Sequence, residues 1–214
     1  MSQTPDFASL ILGVFALALL PFAAMVVTSY TKIVVVLGLL RQAIGVQQVP
    51  PTTVLNGIAI IVSCYVMAPV GMEAMKQAQT HGADGGNAVV QLLDGARDPF
   101  RQFLVKHTNE REKAFFLRSA AQVWPADKVA QLKPNDLIVL APAFVLTELT
   151  AAFKIGFLLY LVFVVIDLVV ANVLMALGLS QVTPSNVAIP FKLLLFVVMD
   201  GWSTLIHGLV LTYR

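Results

Sequence analysis

The run GFLLYLVFVVIDLVVANVLMALGL, residues 156–179, is interrupted only by Asp167 and Asn172. A helix needs about 20 mostly apolar residues to cross the roughly 30 Å hydrocarbon core of a bilayer. With no water there to satisfy backbone groups, such a stretch folds as a spanning helix. It has a mate. After the turn SQVTPSN comes FKLLLFVVMDGWSTLIHGLVLTYR, residues 191–214, which carries Lys192, Asp200 and His207. The two read as a helical hairpin with charges in its walls.

The same character recurs at the other end. Residues are 58% hydrophobic and 12% charged, against about 25% charged in an ordinary soluble domain. The apolar residues form two blocks, about 7–72 and 137–213, around a polar stretch. Segment 8–29 is a first spanning candidate, with Pro21 inside it. Residues 33–40, IVVVLGLL, are too short to cross, and 52–72 resume an apolar run containing Asn56, Gly57 and Pro69. The organisation expected is 1–72, N-terminal hydrophobic helices; 73–136, a polar helical insert; and 137–214, a C-terminal helical hairpin. The fold class is all-α, a multi-span helical membrane protein.

In the insert, QAQTHGADGGNA reads as a flexible loop. Asp98 before Pro99 predicts a helix start, with Phe100, Phe103, Leu104 and His107 at helical spacing behind it. Asn109 with Glu112 resembles a capping box. The formal charge of +2 and the absence of a basic tract exclude nucleic acid as a partner. The single cysteine, Cys64, excludes an intrachain disulfide and a multi-cysteine metal site, and its apolar neighbours predict a buried thiol. Asp6, with no Lys or Arg before the first apolar run, is the wrong charge for a secretory signal peptide, so the first helix is expected to be retained. Lys32 and Arg41 in the 30–51 connection, and Lys192 in the 180–192 turn, predict four segments with both basic turns inside. The insert and both termini then lie outside the cytoplasm.

No HExxH, nucleophile elbow or phosphate-cradling glycine loop is present in the sequence. His81, His107 and His207 are isolated, and a carboxylate dyad of Asp167 with Asp200 is the one hydrolytic arrangement conceivable. The chain reads as no enzyme, with no cofactor and no metal. The intramembrane charges say more, because a central Asp or Lys costs about 2.5–3.5 kcal/mol by insertion scales and therefore pairs or faces water. With the turn centred at residue 185, Asp167 and Lys192 are offset by about 16 Å at 1.5 Å per residue. That spacing points to pairing between copies. The alternative is a snorkelling Lys192 with Asp167 protonated or in a wet cavity.

Three stretches carry a resemblance: TSYTKIVVVLGLLRQAIGVQQVPP at 28–51, IDLVVANVLMALGL at 166–179, and VTPSNVAIPFKLLLFVVMDGW at 182–202. They resemble the FliP/SctR family, core export-apparatus subunits of type III secretion, over about 20–72 and 137–206. The resemblance implies a non-enzymatic pore in the bacterial inner membrane. It would be a homo-oligomer, expected to be a pentamer, joined by one larger related subunit and several small two-helix subunits. Together these form a ring or funnel that passes unfolded secreted proteins and rides largely above the bilayer. It implies intersubunit charges at Glu148, Asp167 and Lys192. Signature polar residues at Ser29, Lys32, Arg41, Gln42, Gln47 and Gln48 would face other subunits or a wet lumen rather than membrane lipid. The implied constriction falls at Leu179, Ser180, Gln181 and Val182, where flagellar relatives carry methionines; its bland alternative is a plain hairpin turn. The departure from methionine favours the injectisome branch. A small solute or ion transporter also suits broken helices and buried charge, but no internal repeat links 7–72 with 137–213.

Overall fold

The computed structural model describes residues 25–46, 48–81, 88–179 and 181–214, together with Ile11, Val14, Phe15 and Ala18. The expected first span, 8–29 with Pro21, lies mostly outside the described residues. Among those residues the secondary structure is all helical: α1 (Tyr30–Ile44), α2 (Thr52–His81), α3 (Ala88–His107), α4 (Glu110–Val123), the single turn α5 (Ala126–Val129), α6 (Leu137–Ala176), α7 (Pro184–Val198) and α8 (Gly201–Leu211).

The spine is α6. Its 40 residues make a rod of about 60 Å at 1.5 Å per residue. The others are threaded along it at heights fixed by side-chain contacts. Lys32 meets Glu148 and Leu39 meets Gly156, so α1 runs parallel to α6. Ser63 of α2 reaches back to Ser29, and Val66 and Val70 pack against the cluster of Phe103, Leu104, Leu140, Phe144 and Tyr213. Thus α2 runs back beside α1 and on to α3 of the insert. Lys192 of α7 meets Asp167, and Leu209 of α8 joins Ala152 and Ile33 in the core. That pair therefore covers the later half, and the staggered helices reach beyond any single bilayer-thick slab.

Among the described residues two helices are long and apolar enough to cross a membrane, Thr52–Gln79 and Leu137–Ala176, and α7 with α8 passes as a broken pair bent by 62°. The expected single return span is therefore two helices. At the break Asp200 adopts a left-handed conformation, φ 50°, and the ring of Phe196 lies where a Cβ on Gly201 would sit, 2.3 Å away. Only glycine fits under that ring.

The insert also differs from its expected outline. α2 continues through QAQTH to His81, so the boundary at 72/73 falls inside a helix. α3 starts at Ala88 and carries Pro99 internally, so Asp98 is no cap; it pairs with Arg101 at 3.3 Å. The physical reason is a close approach: a Cβ at Gly95 would come within 2.7 Å of the Ala78 amide nitrogen, so α3 lies against α2 well before the proline. The Asn109 cap is present, its side chain accepting from the Arg111 N–H at 2.9 Å. Cys64 is exposed, not buried, because its neighbour Ser63 takes the inward position.

Replacing Gly201 with Ala forces the Phe196 ring to move and costs about 1–3 kcal/mol. Gly38→Ala, with nothing within 4 Å of the new methyl, leaves stability unchanged or slightly raised. Thermal unfolding of the two variants in detergent checks the contrast, and equal midpoints contradict it.

Candidate functional site

The polar residues inside the apolar body converge on two charge clusters along α6. In the first, the Lys32 ammonium on α1 lies 3.2 Å from a Glu148 oxygen, with both side chains about 95% or more buried. The other Glu148 oxygen accepts a hydrogen bond from the Tyr213 hydroxyl. The Lys32 ammonium stands 3.7 Å from the Tyr213 ring centroid, a cation–π contact in a desolvated setting. Ser29 is fully buried nearby and shares a 2.9 Å hydrogen bond with Ser63. The cluster thus joins α1, α2, α6 and the chain's penultimate residue. Its outer wall is the insert: Phe103 and His107 of α3 lie 6.2 and 5.3 Å from the Tyr213 ring.

In the second cluster the Lys192 ammonium donates to Asp167 at 2.6 Å and to the Ala43 carbonyl at 3.1 Å. This pair closes within one chain, against the expected misfit. The error lay in the register. α6 ends at Ala176 and α7 begins at Pro184, so the turn is centred near residue 180, with Asp167 and Lys192 at nearly equal distances from it. Lys192 is buried, but the Asp167 side chain keeps 43% of its surface exposed. One carboxylate face is therefore open. Asp200 is exposed at the α7–α8 break, beyond the end of α7, while the partner of Asp167 is Lys192, so the two aspartates do not form a dyad. His207 is exposed as well.

The turn that carries the expected constriction is set by a glycine. The Leu179 N–H bonds to the Leu174 carbonyl and the Gly178 N–H to the Met175 carbonyl, both at 3.0 Å. Gly178 has φ 72°. This is the Schellman end, which satisfies the last carbonyls of α6. It turns Leu179, Gln181 and Val182 outward at the tip, all three exposed; Ser180 lies outside the described residues.

The remaining signature residues divide. Arg41 turns back onto its own chain, donating to the Pro50 carbonyl and the Thr52 hydroxyl at 3.3 and 3.0 Å. Ser29 and Lys32 are interior, so they face neither lumen nor neighbour. The counter-charge that makes this possible is Glu148. Gln42 and Gln48 are exposed, and Gln47 lies outside the described residues.

The FliP family pattern matches residues 13–209. The chain belongs to the FliP family. Among its relatives, the "Hypersensitivity response secretion protein HrcR" of Ralstonia nicotianae is 77% identical over 99% of this chain and all of its own length. The "Yop proteins translocation protein R" of Yersinia pestis is 46% identical, covering 100% of this chain and 99% of the relative. The "Virulence protein YscR" of Salmonella typhimurium is 37% identical over 98% of each. This FliP-family chain is thus similar over its whole length to named secretion and translocation proteins.

Two members of the first cluster, Tyr213 and Ser63, were not visible in advance. Tyr213 follows the last apolar run, and a phenol there needs a partner for its hydroxyl once buried, but nothing in the sequence says that Glu148, 65 residues away, supplies it. Ser63 escaped for the same reason.

Two predictions follow from the geometry of this FliP-family fold. Lys32→Met leaves Glu148 buried without its cation, at a cost of about 3–5 kcal/mol, whereas Lys32→Met with Glu148→Met removes both charges and recovers most of it. Detergent unfolding midpoints of single and double variants test this, and a double variant no better than the single one contradicts it. His107 lies outside the spans. Burial holds its pKa down at about 4, with Lys106 and Lys32 adding repulsion. A folded pKa below the ordinary 6.5 means the unfolded chain binds more protons between those values. The contribution is present above 6.5 and is lost as pH falls towards 4. His107→Asn flattens the fall in thermal stability between pH 7 and 4.5; an unchanged slope overturns the assignment.

Proposed function

We propose that this chain is a core subunit of a type III secretion export gate in the bacterial inner membrane, a non-enzymatic element of the conduit for unfolded proteins. Family membership and the names of its relatives support a place in a secretion apparatus. The observation that carries the assembly is the length of bare apolar surface. On α6 the residues Leu146, Phe153, Phe157, Leu161, Leu168 and Met175 are all exposed and share one helical face, spanning about 44 Å. On α2, Ile61, Tyr65 and Met72 are exposed as well. A bilayer covers about 30 Å. The rest requires protein, and a ring of like subunits supplies it.

In this reading several copies, expected to be five, stand side by side with the larger related subunit and the small two-helix subunit. The three regions 1–72, 73–136 and 137–214 serve as inner wall, outer collar and central hairpin, with the insert and both termini on the periplasmic side. The open carboxylate face of Asp167 accepts a donor from the neighbouring copy, which gives that pair its intersubunit role, and Glu148 braces the wall from within. The turn at Leu179 to Val182 supplies the constriction, with Leu179 as its one large apolar side chain. A ring of leucines packs without charge, yields to a passing chain and closes behind it.

The native mass of the detergent-extracted protein, alone and co-expressed with its apparatus neighbours, tests the reading. Several copies per particle are expected, and a monomer in both cases sinks it. In the assembled complex, Leu179→Ala raises leakage of small solutes several-fold, and unaltered leakage removes Leu179 from the seal.

A further inference from the structure

An apolar groove of about 400 Å³ opens between α6, α7 and α8, with Ile155, Leu159, Val162, Phe196, Leu205 and Leu209 among its walls. It exists because the chain breaks at Asp200: α8 swings away by 62° and leaves the space unfilled. The groove-lining residues of α6 lie on one side of that helix. At about 100° per residue, the exposed residues Phe157, Leu161 and Leu168 fall on the opposite side. Each copy thus carries a groove on its front and a ridge on its back.

Each of these apolar surfaces also holds one exposed charge. Lys154 sits on the ridge and Asp200 at the groove, where its neighbours Met199 and Gly201 line the wall. Neither side chain has a hydrogen-bond or ion-pair partner among the described residues. Charges of opposite sign, each stranded on an apolar face, call for a partner that carries both. A second copy does. Asp200 is level with Leu159 and Val162, so Lys154 lies about 8–12 Å from it along the spine. A flexible four-carbon stem and a modest lengthwise shift between copies close that distance.

We infer that the α6 ridge of one copy seats in the α7–α8 groove of the next, with Lys154 reaching Asp200 across the contact. The inference rests on the side-by-side assembly proposed above and names the surfaces that meet. Because groove and ridge are different patches, the contact is heterologous. It propagates from copy to copy until a ring closes or a helix grows. The bent hairpin then has a purpose: a straight α7–α8 would fill its own groove and leave the neighbour nothing to enter.

Disulfide cross-linking in membranes is the test. In a Cys64→Ala background, which removes the exposed native thiol, the double variant Lys154→Cys/Asp200→Cys is treated with a bis-methanethiosulfonate linker whose spacer replaces the reach of the lysine stem, since a direct disulfide would need the two Cα atoms within about 7 Å. A ladder of linked species that collapses on reduction is expected. Lys154→Cys and Asp200→Cys chains expressed together should stop at dimers, and either variant alone should stay unlinked. Dimers from a single variant would mean a two-fold contact and overturn the proposal. So would the absence of links in a particle that keeps its multi-copy mass, because another protein or lipid then fills the groove. A monomeric Cys64→Ala parent would instead remove the assembly reading itself. Where the double cysteine variant assembles poorly, Lys154→Asp with Asp200→Lys should recover the multi-copy mass lost in each single exchange, and failure to recover it counts against the contact.

Discussion

A rod of 40 residues, about twice as long as the hydrocarbon is thick, is the constraint on which the rest of the structure depends. Along it apolar side chains point outward at both ends, and water cannot cover them cheaply: each large aliphatic side chain left exposed forfeits about 1.5–3 kcal/mol. Lipid can serve about half the length. The packing of α1, α7 and α8, with α3 and α4 of the insert along the first half, still leaves a stripe of the rod from Leu146 to Met175 bare and open to cover from outside the chain.

The buried ion pairs make such a rod usable. Lys32 ties α1 to Glu148, and Lys192 ties α7 to Asp167 and to the end of α1. The two anchor points are about 28 Å apart on α6. Between and around them the contacts are apolar and could slide, since one aliphatic surface packs on another with little regard to register. A charge in low dielectric has no such freedom, because leaving its partner costs several kcal/mol. The pairs therefore fix the heights of the surrounding helices, including the height at which the hairpin tip presents Leu179. The Schellman glycine sets the direction of that tip. The position and direction of the hairpin tip are thus determined by two salt bridges and one left-handed residue.

The all-helical class and the hairpin could be read from apolar run lengths, and the need of Asp167 and Lys192 for partners from the cost of burying charge. What misled was register. Seven residues between Ala176 and Pro184 belong to the turn and not to either helix, and moving its centre from 185 to about 180 turns an apparent misfit into a 2.6 Å contact. Lys32 and Ser29 looked like outward-facing residues because their partners, Glu148 and Ser63, are far off in sequence. The break at Asp200 was hidden for another reason. Its cause is the Phe196 ring over Gly201, a tertiary contact, while the local sequence VVMDGWSTL remains a tolerable helix. Pro99 marks the converse, a strong local stop signal overridden by the close seating of α3 on α2.

Lipid accessibility along the outward face of α6 tests the central claim most directly. Single cysteines placed at Leu146, Phe157, Leu168 and Met175 in a Cys64→Ala chain, labelled with a fluorophore in the assembled complex, report contact with brominated lipid. Coverage by sister copies predicts quenching confined to a stretch of about 20 residues at most, with the remaining labels shielded although the isolated chain exposes them. Quenching of all four to the same depth would show the whole 44 Å face bathed in lipid and would contradict the account.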